Sequence, residues 1–444
     1  MTTRKSLPLL RTLGLSAALS ISAASPAFAQ AADAPATPAP ATPPPKSWID
    51  PDTGHRVVRL TDEPGSDSFY FNFNAYTPDG KEMIYTTTNG GIHVLNLDTL
   101  TTRPLASDVV RAIVVGHKTP TIYYTKSTPD PYFLTLWAAN IDTGENRKVA
   151  DLPRRGSVVT INADETLGAG SYIEGEAVGP GVYGGRVNTQ NRMGATNLGE
   201  PENKGQMMAE RLAAKLPVTL FTVNLQTGQI NKLIEHSTDW LNHFQFSPTD
   251  PTLLMYCHEG AWHQVDRIWT IRTDGTQNQL IHKRIMKMEI AGHEWWGQDG
   301  KNLWYQLMFP RGVQNGSFLA SYNVETGERV WLHQVPEAGS IHHNTSPDGK
   351  LFCGDGNGRN PWIVLCRPVI NPDDHTLGTG LIQGGTIEVE KLVNMSKTAI
   401  HGAQNYRLEP NPSFTPDQKY VIFRANIFGP DYAFAVEVAK AAQP

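Results

Sequence analysis

Cysteine is scarce: Cys257, Cys353 and Cys366 are the three in 444 residues. Three are too few for a disulfide framework, and an odd number leaves at least one thiol free. The spacing allows a Cys353–Cys366 bridge, although buried free thiols are the simpler expectation. No C-x-x-C pair occurs, so a cysteine-ligated zinc site is excluded. A basic excess is also missing: the formal charge is −5, which argues against a generic nucleic-acid binder. Beyond the N-terminus no apolar run approaches the ~18–20 residues a membrane span needs. The motifs H-E-x-x-H, G-x-S-x-G and the Walker loop are absent, leaving zincin, α/β-hydrolase and nucleotidase chemistry without support. Glycine and proline, 39 and 32 residues, make up about 16% of the chain, below the ~25–30% of low-complexity disorder.

What is present begins with an address label. Arg4, Lys5 and Arg11 precede an apolar stretch, Leu13 to Ala24, and Ala27-Phe28-Ala29 supplies small residues before Gln30. This order predicts a cleavable signal peptide over 1–29 and a periplasmic or secreted protein. Residues 30–46, rich in Ala, Pro and Thr, read as an extended tether. A single domain is expected over 47–444.

Within it, short β-like runs alternate with turn signals. A Pro-Asp-Gly type of turn occurs at Pro78-Asp79-Gly80, Gln298-Asp299-Gly300, Pro347-Asp348-Gly349 and Pro416-Asp417, each before an aromatic or β-branched strand. Weaker copies fall at Gly116, Ala163 and Pro248. A second turn type recurs from Asn140 to Gly144, Asn224 to Gly228 and Asn323 to Gly327. Such residues supply side-chain capping and the left-handed backbone of tight hairpins. The repeat predicts an all-β fold, a seven-bladed β-propeller of four-stranded blades. Insertions are expected near 170–216, helix-compatible from Met207 to Lys215, and near 366–405. Without them each unit averages about 47 residues, close to the ~40–50 of propeller blades. The strand from His55 to Leu60 is placed to pair with the last strands and close the ring.

Histidines recur near the beginnings of strands, at His243, His293, His342-His343 and His401. Inner strands of a propeller line its centre, so residues distant in sequence converge there. One such histidine is usually structural; four in equivalent places point to a site. The glycine-rich run from Gly354 to Gly358 has no helix after it and reads as a turn.

The segments Asp239-Trp-Leu-Asn-His-Phe, Cys257-His-Glu-Gly260, Gly292-His-Glu-Trp-Trp, Gly354-Asp-Gly356 and Pro412-Ser-Phe-Thr-Pro-Asp417 resemble the oligogalacturonate lyase family. The resemblance implies a seven-bladed propeller that cleaves short pectic oligosaccharides by β-elimination, using a manganese-type ion. It places the catalytic histidine on His243 and one metal histidine on His293. The remaining metal positions fall on Tyr406, Glu409 and Asn411, so Glu409 and Asn411 become oxygen donors, with His342 a further ligand. The family's catalytic arginine falls on Thr219. Arg211 is therefore expected to act in catalysis, and Arg211 and Lys215 to bind substrate. The cofactor implied is a divalent ion, Mn2+ by preference, and the partner an acidic oligosaccharide.

The chemistry agrees. Elimination from a uronide needs a base for the weakly acidic C5 proton and positive charge for the enediolate. A neutral histidine suits the first role. Two other readings stay open: a lyase for a different uronide, and a non-catalytic periplasmic propeller that binds a protein or peptide.

Overall fold

The computed structural model describes residues 44–441, except 89, 175–207, 210–211, 311–315, 358, 372–381 and 399–407. The expected leader, nearly all of the tether, Arg211, His401 and Tyr406 lie outside the described residues.

Among those residues the architecture is all-β. Helical turns occur only at 208–209, 212–214 and Pro336–Ala338, and no helix is long and apolar enough to cross a membrane. Four sheets have four antiparallel strands each; they span 66–106, 111–151, 157–236 and 240–280. An eight-stranded sheet follows over 290–394, in which two antiparallel four-stranded halves meet through one parallel pair, Arg329–His333 with Ile382–Asn394. The last sheet joins the two ends of the domain: His55–Arg59 pairs antiparallel with Tyr432–Lys440.

The turns form for the reasons read in the sequence. The Asn140, Asn224 and Asn323 side-chain oxygens each accept the backbone N–H groups two and three residues on. The glycine closing each of these turns has positive φ, between 73° and 76°. Asp79, Asp299, Asp348 and Asp417 likewise accept the N–H two residues on. Short loops then stack each strand on the one before it, and four strands expose an apolar face that needs a neighbour.

That neighbour is the next sheet. Ile84 and Val94 pack on Ile122 and Tyr124, Tyr123 and Leu136 on Phe221 and Val223, and Leu220 on Phe244 and Leu254. Met255 meets Leu303 and Tyr305, Leu319 and Leu332 meet Phe352 and Val364, and Ile363 and Leu365 meet Phe423 and Phe434. The series returns to its start where Ile422 and Ala433 pack on Met83 and Tyr85. Each fully buried side chain of this size contributes roughly 1.5–3 kcal/mol, so stability is spread around a propeller-like ring. Inner strands adjoin one another: Ser157–Ile161 touches Arg111–Val115 on one side and Trp240–Phe246 on the other.

The stretch expected as an insertion near 366–405 is corrected in part. Residues 366–370 and 382–394 are strand, belonging to Trp362–Ile370 and Ile382–Asn394. Pro368 and the Gly384-Gly385 pair hid the strand pattern, since both residue types weaken a strand reading. Of the other expected insertion, 170–173 belong to strand Leu167–Ile173. Cys257, Cys353 and Cys366 are buried free thiols.

Candidate active site

Two inner strands are interrupted at the same place. Trp240–Phe246 shifts register between Asn242 and Gln245, and Ile290–Trp296 between Gly292 and Trp295. His243 and His293 occupy these bulges with φ of 50°. Left-handed backbone is costly for a residue with a Cβ, roughly 1–2 kcal/mol, and such strain concentrates at functional sites. A bulge re-aims the side chain it carries. The histidines thus sit within strands at bulges, not at their beginnings. Asn411 shares the conformation, also at φ 50°.

Between the two bulges lies a buried charge network. His243 Nε2 is 3.3 Å from Glu259 Oε1, and Arg267 Nη1 donates to the same oxygen at 2.5 Å. Arg267 Nη2 reaches Glu294 Oε1 at 3.5 Å, and the Cys257 thiol donates to that oxygen. Burial alone would raise the Glu259 carboxyl, but the Arg267 guanidinium and His243 hold it at about 2. Burial likewise pushes the Cys257 thiol well above its ordinary range, with Glu294 adding to the effect. Glu259 sits at the Nε2 side of the His243 ring, and Nδ1 is the nitrogen farther from the carboxylate.

His293 and His342 meet edge to face, with ring centroids 5.1 Å apart. His293 Nδ1 is 2.9 Å from Gln306 Oε1, while the other end of that amide donates to the Ser340 carbonyl. This fixes the amide orientation, so Nδ1 of His293 carries the proton and Nε2 the lone pair. His342 is set the same way, with Nδ1 2.7 Å from Asp355 Oδ2. Asp355 Oδ1 accepts the backbone N–H groups of Ile341 and His342. Such partners orient imidazoles for a metal.

A loop from the first sheet crosses the centre. The Asn344 amide donates to the Phe71 carbonyl at 2.7 Å, and Gln245 to the Asn72 carbonyl at 2.8 Å. Phe71 packs on His342 and Trp295. The Tyr70 phenol is pushed well above its ordinary range by burial, and then by Glu409, Glu294 and Asp355, so it stays protonated. The Glu409 carbonyl accepts from Arg424 Nε and from Asn411 Nδ2. Asn411 Oδ1 is buried with no hydrogen-bond partner.

Thr219 is far from vacant space: it is buried, and its hydroxyl donates to Glu174 at 3.1 Å. Lys215 is exposed with φ of 46°, and Arg211 lies outside the described residues. The sequence reading missed Glu259, Arg267, Glu294, Gln306 and Asp355. The signal for two of them was in hand, because the Glu of Cys257-His-Glu-Gly260 and of Gly292-His-Glu-Trp-Trp are the two carboxylates that Arg267 joins.

A propeller-like all-β protein with oriented imidazoles and a buried guanidinium–carboxylate network is the class that fold and site define. Comparison with known proteins is specific. The family model for oligogalacturonate lyase matches residues 201–442, more than half the chain, and the protein belongs to that family of polysaccharide lyases. An oligogalacturonate lyase from Dickeya dadantii (strain 3937) is 24% identical over 400 residues, 88% of this chain and 95% of the relative. An oligogalacturonide lyase from Pectobacterium atrosepticum is 27% identical over 220 residues, 49% of this chain and 55% of the relative. An oligogalacturonate lyase solved in complex with manganese superposes with a TM-score of 0.69 at 22% identity, covering 89% of this chain and 96% of its own. The oligogalacturonate lyase of Vibrio parahaemolyticus also gives 0.69 at 22% identity, covering 89% and 97%.

Proposed function

We propose that the protein is an exported lyase that cleaves oligogalacturonate-like uronides by β-elimination, with His243 as the base. The observation that carries this reading is the strained bulge at His243, matched at His293 and joined to it through Glu259, Arg267 and Glu294. His243 Nδ1 takes the C5 proton, and the released pair forms the C4–C5 double bond. The C4–O bond breaks so that the glycosidic oxygen leaves with that bond's electrons and takes a proton from solvent. Glu259 stabilises the resulting imidazolium, since a fixed carboxylate lowers the cost of that charge.

The proposed donors for a divalent ion are two Nδ1-protonated imidazoles, His293 and His342, with the Glu409 carboxyl and the orphaned Asn411 Oδ1. The chemistry of this set suits such an ion, although the side chains as they stand do not form a closed ligand cluster. Two imidazoles with two oxygens suit a transition ion such as Mn2+ better than Mg2+. When bound there, such an ion supplies positive charge for the substrate carboxylate. Arg211 and Lys215 remain the proposed substrate cations, because a guanidinium grips a carboxylate bidentately.

The ring is proposed to have seven blades. Supporting this, the eight-stranded sheet resolves into two four-stranded halves, and the seven apolar interfaces described above run from each unit to the next, the closing unit having five strands. Export rests on the leader pattern of 1–29. His293→Ala should abolish stoichiometric Mn2+ while the fold persists; unchanged Mn2+ content would remove the metal assignment.

A further inference from the structure

A second constellation of ligands lies away from this centre. His236 ends the outermost strand of one sheet, Asp239 sits in the connection, and His258 lies on the second strand of the next sheet. One ring nitrogen from each histidine and one Asp239 oxygen lie within 4.8 Å of one another. Asp239 Oδ1 is 2.9 Å from His236 Nε2 and 3.0 Å from His258 Nδ1.

Asp239 Oδ1 is buried without a well-aligned hydrogen bond. Burial would raise the carboxyl, but the two imidazoles beside it hold it below its ordinary range. Atoms held about 2.0–2.2 Å from one ion stand about 3–3.5 Å apart, so three donors already within 4.8 Å of one another need only small side-chain shifts to share an ion. The rings meet edge to face with centroids 4.4 Å apart, and His258 is backed by Trp269 at 4.7 Å. The Thr238 hydroxyl, 2.8 Å from His236 Nε2 and 3.4 Å from Asp239 Oδ2, adds an oxygen to the same pocket. His236 and Asp239 remain partly exposed, which leaves a path for an ion.

Alternation along Leu253–Glu259 separates this cluster from the central one. Cys257 and Glu259 face Arg267, while His258, between them, points to the opposite side of the sheet. We infer that His236, Asp239 and His258 form a second metal site, binding a transition dication of the zinc class that clips two consecutive sheets together. Two imidazoles and a carboxylate select such ions over Ca2+ or Mg2+ and leave coordination positions for water.

The test uses the full chain, stripped with chelator and dialysed against Zn2+, with bound metal counted by elemental analysis. In a His293→Ala background, which removes the central site, one equivalent of Zn2+ should remain and raise the melting temperature. Adding His236→Ala should weaken it by more than the ~10–100-fold typical of losing a supporting residue. Asp239→Asn, which keeps the side-chain shape, should do the same and serves if the first variant misfolds. Absence of that equivalent, or its survival in both variants, would overturn the assignment. Failure of the central metal reading looks different: His293→Ala would then leave total zinc unchanged.

Discussion

Arg267 offers the sharpest perturbation, because its guanidinium stands between two buried carboxylates. It is 4% exposed, and Glu259 and Glu294 are 2% and 3% exposed. Replacing it by methionine keeps the volume and leaves both carboxyls without their cation. The Glu259 carboxyl falls from 4.5 to about 2 on folding. At 1.36 kcal/mol per unit, that shift is worth about 3 kcal/mol, in line with the ~3–5 kcal/mol lost when one partner of a buried pair is removed. Because the folded value is depressed, this stability is present in full above about 4.5 and drains away as pH falls toward 2. Arg267→Met should therefore cost about 3–5 kcal/mol at pH 7, and clearly less at pH 3, where the wild type has already lost part of it. Urea titrations of the wild type, Arg267→Met, Glu259→Gln and the double variant, at both pH values, give the coupling energy directly. A penalty below about 1 kcal/mol at pH 7, the range of exposed ion pairs, would refute the argument. So would a penalty that does not change with pH.

Other expectations follow from the same geometry. His243→Gly should be more stable than His243→Ala by about 1 kcal/mol, because only glycine relieves the left-handed backbone; thermal melts of the pair decide it. Asp355→Asn should weaken Mn2+ binding by ~10–100-fold by loosening His342, measured by titration calorimetry. A thiol reagent should label none of the three cysteines in the native protein and all three after denaturation. Burial pushes the Cys366 thiol to about 12 and raises Cys353 and Cys257 well above the ordinary range, so thiolate is scarce as well as inaccessible.

The repeat was legible in the sequence because its turns depend on local chemistry. Asn140, Asn224 and Asn323 each fold their own following residues, and no distant contact is needed to make them do so. His243 and His293 were found because they sit in short dense motifs. Their bulges were not, since a register shift depends on the partner strand and leaves no mark on local composition. Asp355 was passed over for a related reason. Its run of glycines reads as a turn, and Gly356 does have φ of 65° with no room for a Cβ against the Asn360 carbonyl. The turn's use is to aim a carboxylate at His342, thirteen residues earlier, and only the fold brings those two together. Arg267 carries no motif at all. Its importance comes from lying between two strands that belong to different sheets.

The central claim is an elimination with His243 as its base, and the product tests it most directly. Purified protein with Mn2+, given a panel of uronic-acid oligosaccharides, should release a C4–C5 unsaturated product that absorbs in the ultraviolet. The rate should fall by ~10²–10⁴-fold in His243→Ala, the usual cost of losing a positioned base. New reducing ends without ultraviolet absorbance, or an undiminished rate in His243→Ala, would contradict the account.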